Sequence, residues 1–218
     1  MKKILILDPA SNPFNDVRLN VGDEIIFMHI SEIIRSAFPD HEIIRTPLHT
    51  GITVETKELA KKAEYIFVGG SNPLTCNIRN EIRLRPENKL EYLFPKVRNL
   101  ILLGTGFHGE TEFPTRLTKF YYRRLFNSDK YHSVRDKVSR ATLNKMGIAN
   151  VLFTGCPTLW NLQKKKHQLA FDKARKNILF TLTNYSKSSE QDSEMIKIML
   201  EQSNGELVFF PQNLDDTD

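Results

Sequence analysis

The sequence predicts a doubly wound α/β fold, in which helices cover both faces of a mostly parallel, Rossmann-like sheet. Short apolar runs alternate along the chain with longer amphipathic ones. The apolar runs lack period-two alternation, as expected of strands that are buried on both faces. Glycines follow several of these runs, at the strand ends where ligands bind in such folds. Together these features favour one parallel sheet with a ligand site at its carboxyl edge.

The first 160 residues supply the elements of this sheet. Six apolar runs are predicted strands: Lys3–Asp8, Glu42–Thr46, Tyr65–Gly69, Leu100–Gly104, His132–Val134 and Val151–Thr154. Four segments between them are predicted helices: Asp23–Ala37, Thr53–Lys62, Thr115–Phe126 and Asp136–Met146. In the first helix Ile26 and Ile30 fall on one face and Glu32 on the other. Gly147, after the fourth, is typical of a left-handed helix cap.

A second unit follows a change in composition. Residues 161–176 are basic and polar, which indicates a linker or a helix. One more cycle then begins, with the strand Asn177–Thr183, the helix Ser189–Gln202 and the strand Glu206–Pro211. One βαβ unit cannot bury a core of its own. We therefore expect a first domain at 1–160 and, at 177–218, the opening of an incomplete second Rossmann-like domain. The alternative is that these two strands extend the first sheet.

Composition and charge narrow the function classes. The chain has 218 residues and a net charge of +5, from 31 basic and 26 acidic residues. This modest excess, with its largest cluster at 164–167, suits a solvated helix face better than a nucleic-acid surface. Cys76 and Cys156 lack metal-ligand spacing and suit a reducing compartment. No apolar run approaches the roughly 20 residues of a membrane span. We expect a cytoplasmic protein without metal or nucleic acid, for which peripheral membrane contact stays open.

The run G-T-G-F-H-G at 104–109 matches the glycine pattern of dinucleotide-binding folds and follows an apolar strand. Its surroundings contradict that interpretation. Glu110 and Glu112 would repel a pyrophosphate, and Pro114 places the helix start several residues too late. Asp129 comes before the next strand, whereas the fingerprint needs an acidic residue at its end. We therefore predict no nicotinamide or flavin cofactor.

The same run still marks a candidate site. Gly104 and Gly106 would let the chain turn at the strand end and bring His108 towards a cleft. An exposed loop histidine is an equally good interpretation of His108 alone. A second glycine turn follows the strand Tyr65–Gly69, where Gly70 permits close backbone approach.

Polar residues in the second glycine turn and at the start of the first helix are further candidates for substrate binding. Ser71 and Asn72 follow Gly70 and could bind substrate hydroxyls or phosphate, or simply form a polar turn. Asn20, Gly22 and Asp23 open the first helix. The carboxylates there suit the helix dipole and oppose phosphate binding, so sugar hydroxyls fit Asn20 and Asp23 better.

Arg135 ends the strand His132–Val134 and directly precedes a helix. A guanidinium at such a strand end suits bidentate capture of a carboxylate or phosphate. The alternative is a local surface contact with Asp136 or Ser139.

In this order the motifs resemble those of the polysaccharide pyruvyl transferase family. The matching stretches are NVGDE at 20–24, VGGSN at 68–72, LLGTGF at 102–107 and SVRDKVSRATLNKMGIANVLFTGCPTL at 133–159. The last is the most specific, and the resemblance spans about 4–212. The chain departs from the family at Cys156, where an aspartate is expected, and no arginine–histidine motif follows Thr183.

The resemblance implies a glycosyltransferase-like architecture of two domains, with the second one incomplete here. It also implies transfer of a pyruvyl group from phosphoenolpyruvate to a glycan or a lipid-linked sugar, as a cyclic ketal and without a cofactor. Arg135 would then contact phosphoenolpyruvate, and His108 is the candidate catalytic residue. The other candidate substrate-binding residues are Asn20, Gly22, Asp23, Gly70, Ser71, Asn72, Gly104 and Gly106.

Residues 1–218 alone are expected to show little turnover, because the family's arginine–histidine motif is not among them. Two other functions fit the same features. One is a glycosyltransferase with a nucleotide-sugar donor, and the other is a catalytically inactive glycan-binding fragment. Neither the acceptor sugar nor the oligomeric state follows from the sequence.

Overall fold

A computed structural model describes residues 2–11, 21–109, 113–160, 177–182, 188–203 and 205–210. Within these ranges the strands are β1 Lys2–Asp8, β2 His41–Pro47, β3 Tyr65–Gly69, β4 Leu100–Leu103, β5 His132–Val134, β6 Val151–Phe153, β7 Ile178–Phe180 and β8 Leu207–Phe209. The α-helices are α1 Val21–Ala37, α2 Val54–Ala60, α3 Arg116–Leu125, α4 Lys137–Lys145 and α5 Ser189–Gln202. Short 3₁₀ turns occur at Ile78–Asn80, Lys89–Tyr92 and Pro157–Leu159.

The strands of the sheet are parallel, and β1 lies in its interior, between β2 and β3. Four strands pair in the order β2-β1-β3-β4, and β5 pairs with β6. The backbone N–H of Gly104, just after β4, donates to the carbonyl of Ser133 in β5 over 3.0 Å. This hydrogen bond joins the end of β4 to β5, so β5 and β6 follow β4 in the order of strands. The predicted α/β class with a mostly parallel sheet is confirmed.

Both faces of this sheet are buried, which explains why the strands lack alternation. Along β1, Leu5 and Leu7 enter one apolar cluster, which α3 and α4 complete. Ile4 and Ile6 enter a second cluster on the opposite face, against α1. All four side chains are fully buried. Helices therefore cover both faces of the sheet, as the sequence predicts.

The helix ends follow the expected capping chemistry. The side chains of Thr53, Thr115 and Asp136 accept backbone N–H groups at the starts of α2, α3 and α4. Gly147 follows α4 with a φ of +85°, which confirms the predicted left-handed cap. Predicted and observed bounds differ by two residues or fewer for the elements of the first 160 residues.

The last described elements form the predicted βαβ unit. β7 and β8 are parallel and pair with each other in a separate two-stranded sheet, with α5 between them in sequence. No residue of α5 is buried. The predicted linker at 161–176 lies outside the described residues. The division into domains stays a prediction.

His132 in β5 is a buried histidine with both ring nitrogens engaged. Nδ1 accepts the backbone N–H of Leu102 at 3.2 Å, and Nε2 lies 2.8 Å from the carbonyl of Asn127, to which it donates. Burial lowers the pKa of His132 from its ordinary value of 6.5. This histidine therefore stays neutral in the folded protein and ties β5 to β4.

We expect this histidine to make folding stability depend on pH. As pH falls below about 6.5, His132 binds a proton in the unfolded chain before it does in the folded one, so stability decreases until the pH passes the lowered folded pKa. In His132→Asn this component of the slope should disappear, although the variant should be less stable by about 1–3 kcal/mol because buried groups lose partners. Urea unfolding from pH 5 to 8 measures both. Equal slopes for the two proteins would contradict this assignment.

Candidate functional site

Two glycine turns shape the carboxyl edge of the sheet. Gly70, just after β3, has a φ of +73°, and a Cβ there would lie 2.4 Å from Cγ2 of Ile26 in α1. Gly104, just after β4, has a φ of +67°, and a Cβ there would lie 2.3 Å from Cγ of Pro157. Both positions need a left-handed backbone and a missing side chain. The glycines thus let α1 and the turn at Pro157–Leu159 pack onto the strand ends.

The helix after the G-T-G-F-H-G run begins late. α3 starts at Arg116 with Thr115 as its N-cap, six residues beyond Gly109. The late helix start predicted from Pro114 is confirmed. In the dinucleotide fold the third glycine of the pattern lies within the helix whose N-terminus meets the pyrophosphate. Here the glycines precede α3 by several residues of sequence, so none of them lies within the helix.

Arg135 lies where β5 ends, beside the glycine turn after β4. Its backbone N–H donates to the carbonyl of Thr105 over 2.8 Å. Its Nη1 donates to Oδ1 of Asn72 over 3.2 Å. A Cβ on Gly106 would lie 2.5 Å from that Oδ1 and 2.7 Å from Cδ of Arg135. Gly106 therefore leaves the space in which Arg135 and Asn72, both predicted site residues, meet.

The neighbours of Arg135 do not neutralise its charge. Asp136 caps α4: its carboxylate accepts the N–H and the hydroxyl of Ser139 at 2.6 and 2.8 Å. The alternative predicted from the sequence, a local contact of Arg135 with Asp136 or Ser139, is therefore wrong. Among the described residues, Arg135 has no carboxylate within ion-pair distance. Its half-exposed guanidinium keeps donors for an incoming anion.

Asn72 also contacts a second arginine, which the sequence analysis missed. Nη1 of Arg83 donates to the backbone carbonyl of Asn72 over 3.3 Å. The same nitrogen pairs with Oε2 of Glu81 at 3.0 Å, so the charge of Arg83 is compensated. Nε of Arg83 lies 3.4 Å from Nδ1 of His49. Arg83 therefore connects the loop after β2 with the loop after β3.

His49 extends these contacts to α1. Its Nε2 donates to the carbonyl of Pro9 over 2.9 Å, which leaves Nδ1 to accept from Arg83. This pair of partners assigns the neutral Nε2–H tautomer. Nε2 also lies 3.8 Å from Oδ2 of Asp23. Asp23, a predicted site residue, is thus connected through His49 and Arg83 to Asn72. The position of His49, two residues past β2, was the available sequence signal.

The remaining predicted site residues are positioned by fewer contacts. Ser71 has a φ of +58°, and its carbonyl accepts the N–H of Gly106 at 2.8 Å, which joins the two glycine turns. His108 is held by its backbone N–H, 2.7 Å from the carbonyl of Leu74, while its side chain is exposed. Gly22 is exposed in the first turn of α1. Asn20 lies outside the described residues.

An ion pair between a buried aspartate and an exposed arginine supports the same edge of the sheet. Asp8, the last residue of β1, is fully buried and accepts Nε of Arg45 at 2.6 Å and the N–H of Ala10 at 2.8 Å. Burial raises the pKa of Asp8, and these two hydrogen bonds oppose the rise. The guanidinium of Arg45 also stacks over the ring of Phe27 at 3.9 Å. This pair holds the ends of β1 and β2 together beneath His49.

The arrangement suits anion capture beside hydroxyl recognition. The planar fork of Arg135 can meet a carboxylate or phosphate with two hydrogen bonds. The carboxylate of Asp23 offers a group that binds hydroxyls. In the described part of the chain, no group of three potential ligands could hold a metal ion. None of the helices described is both long and apolar enough to cross a bilayer.

Comparison with known proteins gives one match. The family model described as polysaccharide pyruvyl transferase matches residues 20–213. This range contains the four motifs that carry the resemblance, which is thereby confirmed. Searches of curated proteins and of solved structures found no significant match.

Two glycine variants separate crowding from backbone strain. Gly70 and Gly109 share a φ near +70°, at +73° and +72°, but a Cβ at Gly109 would meet none of the described residues within 4 Å. Gly109→Ala should cost only the left-handed strain. Gly70→Ala should lose about 1–3 kcal/mol more, because its methyl overpacks against Ile26. Urea unfolding of both variants measures the difference, and equal losses would show that α1 does not pack on Gly70.

Proposed function

The chain belongs to the polysaccharide pyruvyl transferase family, and from this premise we propose that it transfers a pyruvyl group from phosphoenolpyruvate to a sugar. Two hydroxyls of one sugar form two C–O bonds to C2 of the enol, and the bond from C2 to the phosphate oxygen breaks. The methylene carbon accepts one hydroxyl proton to become a methyl group, and the other proton leaves with phosphate. The product is a cyclic ketal on a glycan or a lipid-linked sugar.

The observation that carries the proposal is that Arg135 has no carboxylate partner in the part of the chain that the structure describes. The neutral Oδ1 of Asn72 is its only side-chain partner among the described residues, at 3.2 Å. Phosphoenolpyruvate presents a carboxylate and a phosphate, and either matches a guanidinium fork. A fixed cation also stabilises the charge that gathers on phosphate as the C–O bond breaks. We assign Arg135 to phosphoenolpyruvate.

The neighbouring polar groups suit the acceptor. Asp23 is largely buried, and a carboxylate there accepts hydrogen bonds from sugar hydroxyls. Ser71 and Asn72 lie on the loop beside Arg135, so an acceptor held by them would adjoin the bound donor. We propose His108, on the loop after β4, as the group that moves a proton to or from the reacting atoms. Cys76 and Cys156 are not joined in a disulfide, which supports a reducing, cytoplasmic setting.

Replacement of Arg135 tests the donor assignment. Arg135→Ala should weaken phosphoenolpyruvate binding about tenfold or more, because each hydrogen bond to a charged group contributes about 1.5–3 kcal/mol. Arg135→Lys should restore only part of the affinity, because an ammonium cannot form the planar fork. Isothermal titration calorimetry with phosphoenolpyruvate measures all three proteins and needs no turnover.

Arg140→Ala is the matched control, because this exposed arginine lies only five residues away on α4. Its affinity for phosphoenolpyruvate should equal that of the original protein. Unchanged binding in Arg135→Ala, or an equal loss in Arg140→Ala, would contradict the assignment.

Turnover and donor class are tested together. Phosphate release from phosphoenolpyruvate is measured with a panel of acceptor glycans, and thermal unfolding is followed with phosphoenolpyruvate or with nucleotide sugars. Pyruvyl transfer predicts stabilisation by phosphoenolpyruvate. Stabilisation by a nucleotide sugar alone would favour a glycosyltransferase.

His108→Gln should lower kcat more than it raises KM if His108 moves the proton.

A further inference from the structure

A cavity lies between the 3₁₀ turns Ile78–Asn80 and Lys89–Tyr92 and the start of α3. Its volume is about 720 Å³, within the range of roughly 300–1,000 Å³ that is usual for ligand sites. Arg79, Arg85 and Lys89 line it, together with Tyr92 and the apolar side chains of Leu93 and Leu117. None of the predicted site residues lines it.

The cavity carries a net positive charge that its surroundings do not compensate. Arg79, Arg85 and Lys89 are exposed, and none of the three has an ion-pair partner among the described residues. The one acidic residue of the lining, Glu87, lies 3.4 Å from Nζ of Lys57. Burial raises the pKa of Tyr92, and the charges of Arg85 and Arg79 oppose the rise. The positive field of both arginines therefore reaches the phenol.

The walls of the cavity are fixed by contacts with the core. The backbone N–H of Ile52 donates to the carbonyl of Arg85 over 2.9 Å. The hydroxyl of Tyr121 donates to the carbonyl of Leu84 over 2.9 Å, and the ring of Tyr92 packs edge-on to Tyr121 at 5.5 Å. The ring of Tyr92 and the backbone that carries Arg85 are thus held in place before any ligand arrives, which reduces part of the ordering cost of binding.

The same short segment serves both sites. Arg83 contacts Asn72 beside Arg135, and Arg85, two residues further on, lines the cavity. Only Leu84 separates these two arginines in the sequence. A sugar polymer has the length to reach both sites, whereas phosphoenolpyruvate does not.

We propose that this cavity binds an acidic sugar residue of the acceptor glycan, at a distance from the sugar that receives the pyruvyl group. Carboxylates of uronic acids match the arginine pair, and a sugar ring can pack on the apolar and aromatic wall. This inference rests on the proposed function for its ligand, but the binding itself requires neither phosphoenolpyruvate nor turnover.

Calorimetry with a galacturonic acid hexamer tests the cavity, with the neutral maltohexaose as the comparison. The hexauronate should bind, and maltohexaose should bind at least about tenfold more weakly, because it offers no charge to the arginines. The double variant Arg79→Gln/Arg85→Gln should weaken hexauronate binding about tenfold or more. Tyr92→Leu should weaken the hexauronate as well, through the lost ring contact.

Lys62→Gln/Lys130→Gln is the matched control, because it removes two exposed charges elsewhere on the surface. Its hexauronate affinity should change less than about twofold, since exposed charges at a distance are screened by salt. An equal loss in this control, or equal binding of both hexamers, would overturn the inference. Stronger retention of the protein by anionic lipid vesicles than by hexauronate, through the same two arginines, would also overturn it in favour of a membrane surface.

The outcomes separate this inference from the proposed function. Phosphoenolpyruvate binding is measured on the same samples and should survive in Arg79→Gln/Arg85→Gln. If the hexauronate binds and phosphoenolpyruvate does not, the acidic-sugar site stands and the donor assignment fails. If phosphoenolpyruvate binds and the hexauronate does not, the cavity inference alone fails.

Discussion

Close approach of bare backbone to neighbouring side chains is the constraint on which the carboxyl edge depends. Gly70 admits Ile26 of α1, Gly104 admits Pro157, and Gly106 admits the aliphatic part of Arg135. A Cβ at any of these positions would displace a different element. The strand ends, the first helix and the turn at Pro157–Leu159 are therefore positioned together. The geometry of the site is therefore determined by this packing rather than by its polar residues.

The charges around this edge divide by whether they have partners. The buried Asp8 is paired with the exposed Arg45, Arg83 is paired with Glu81, and Lys57 lies 2.8 Å from Glu91 in the interior. A buried charge without a partner would cost far more than it contributes, so these pairs serve the fold. Arg135 is different, since it is half-exposed and bonded to a neutral amide. An arginine that is held in place, and that has no carboxylate partner among the described residues, can serve a ligand at little cost to the fold.

Sequence pattern predicts the regular elements and the glycine turns, but not how side chains meet between them. The apolar runs of β1, β3 and β4 are unambiguous because both faces of the sheet are buried. Arg135 could be proposed because it follows a strand directly, and Asn72 because it lies in the glycine turn after β3. Arg83 could not, because it lies in an irregular stretch between β3 and β4 that has no hydrophobic period. His49 has no motif of its own, and only the fold brings its ring between Pro9 and Arg83.

The run G-T-G-F-H-G shows why a glycine pattern does not identify a ligand. Glycines in the dinucleotide fold leave room for a pyrophosphate and for close packing of a helix on its strand. The same steric need arises here, but the atoms that occupy the space belong to Pro157 and Arg135. Glycine thus reports that something approaches the backbone, and its surroundings report what approaches. The late start of α3 and the cation beside Gly106 are the features that distinguish the two cases.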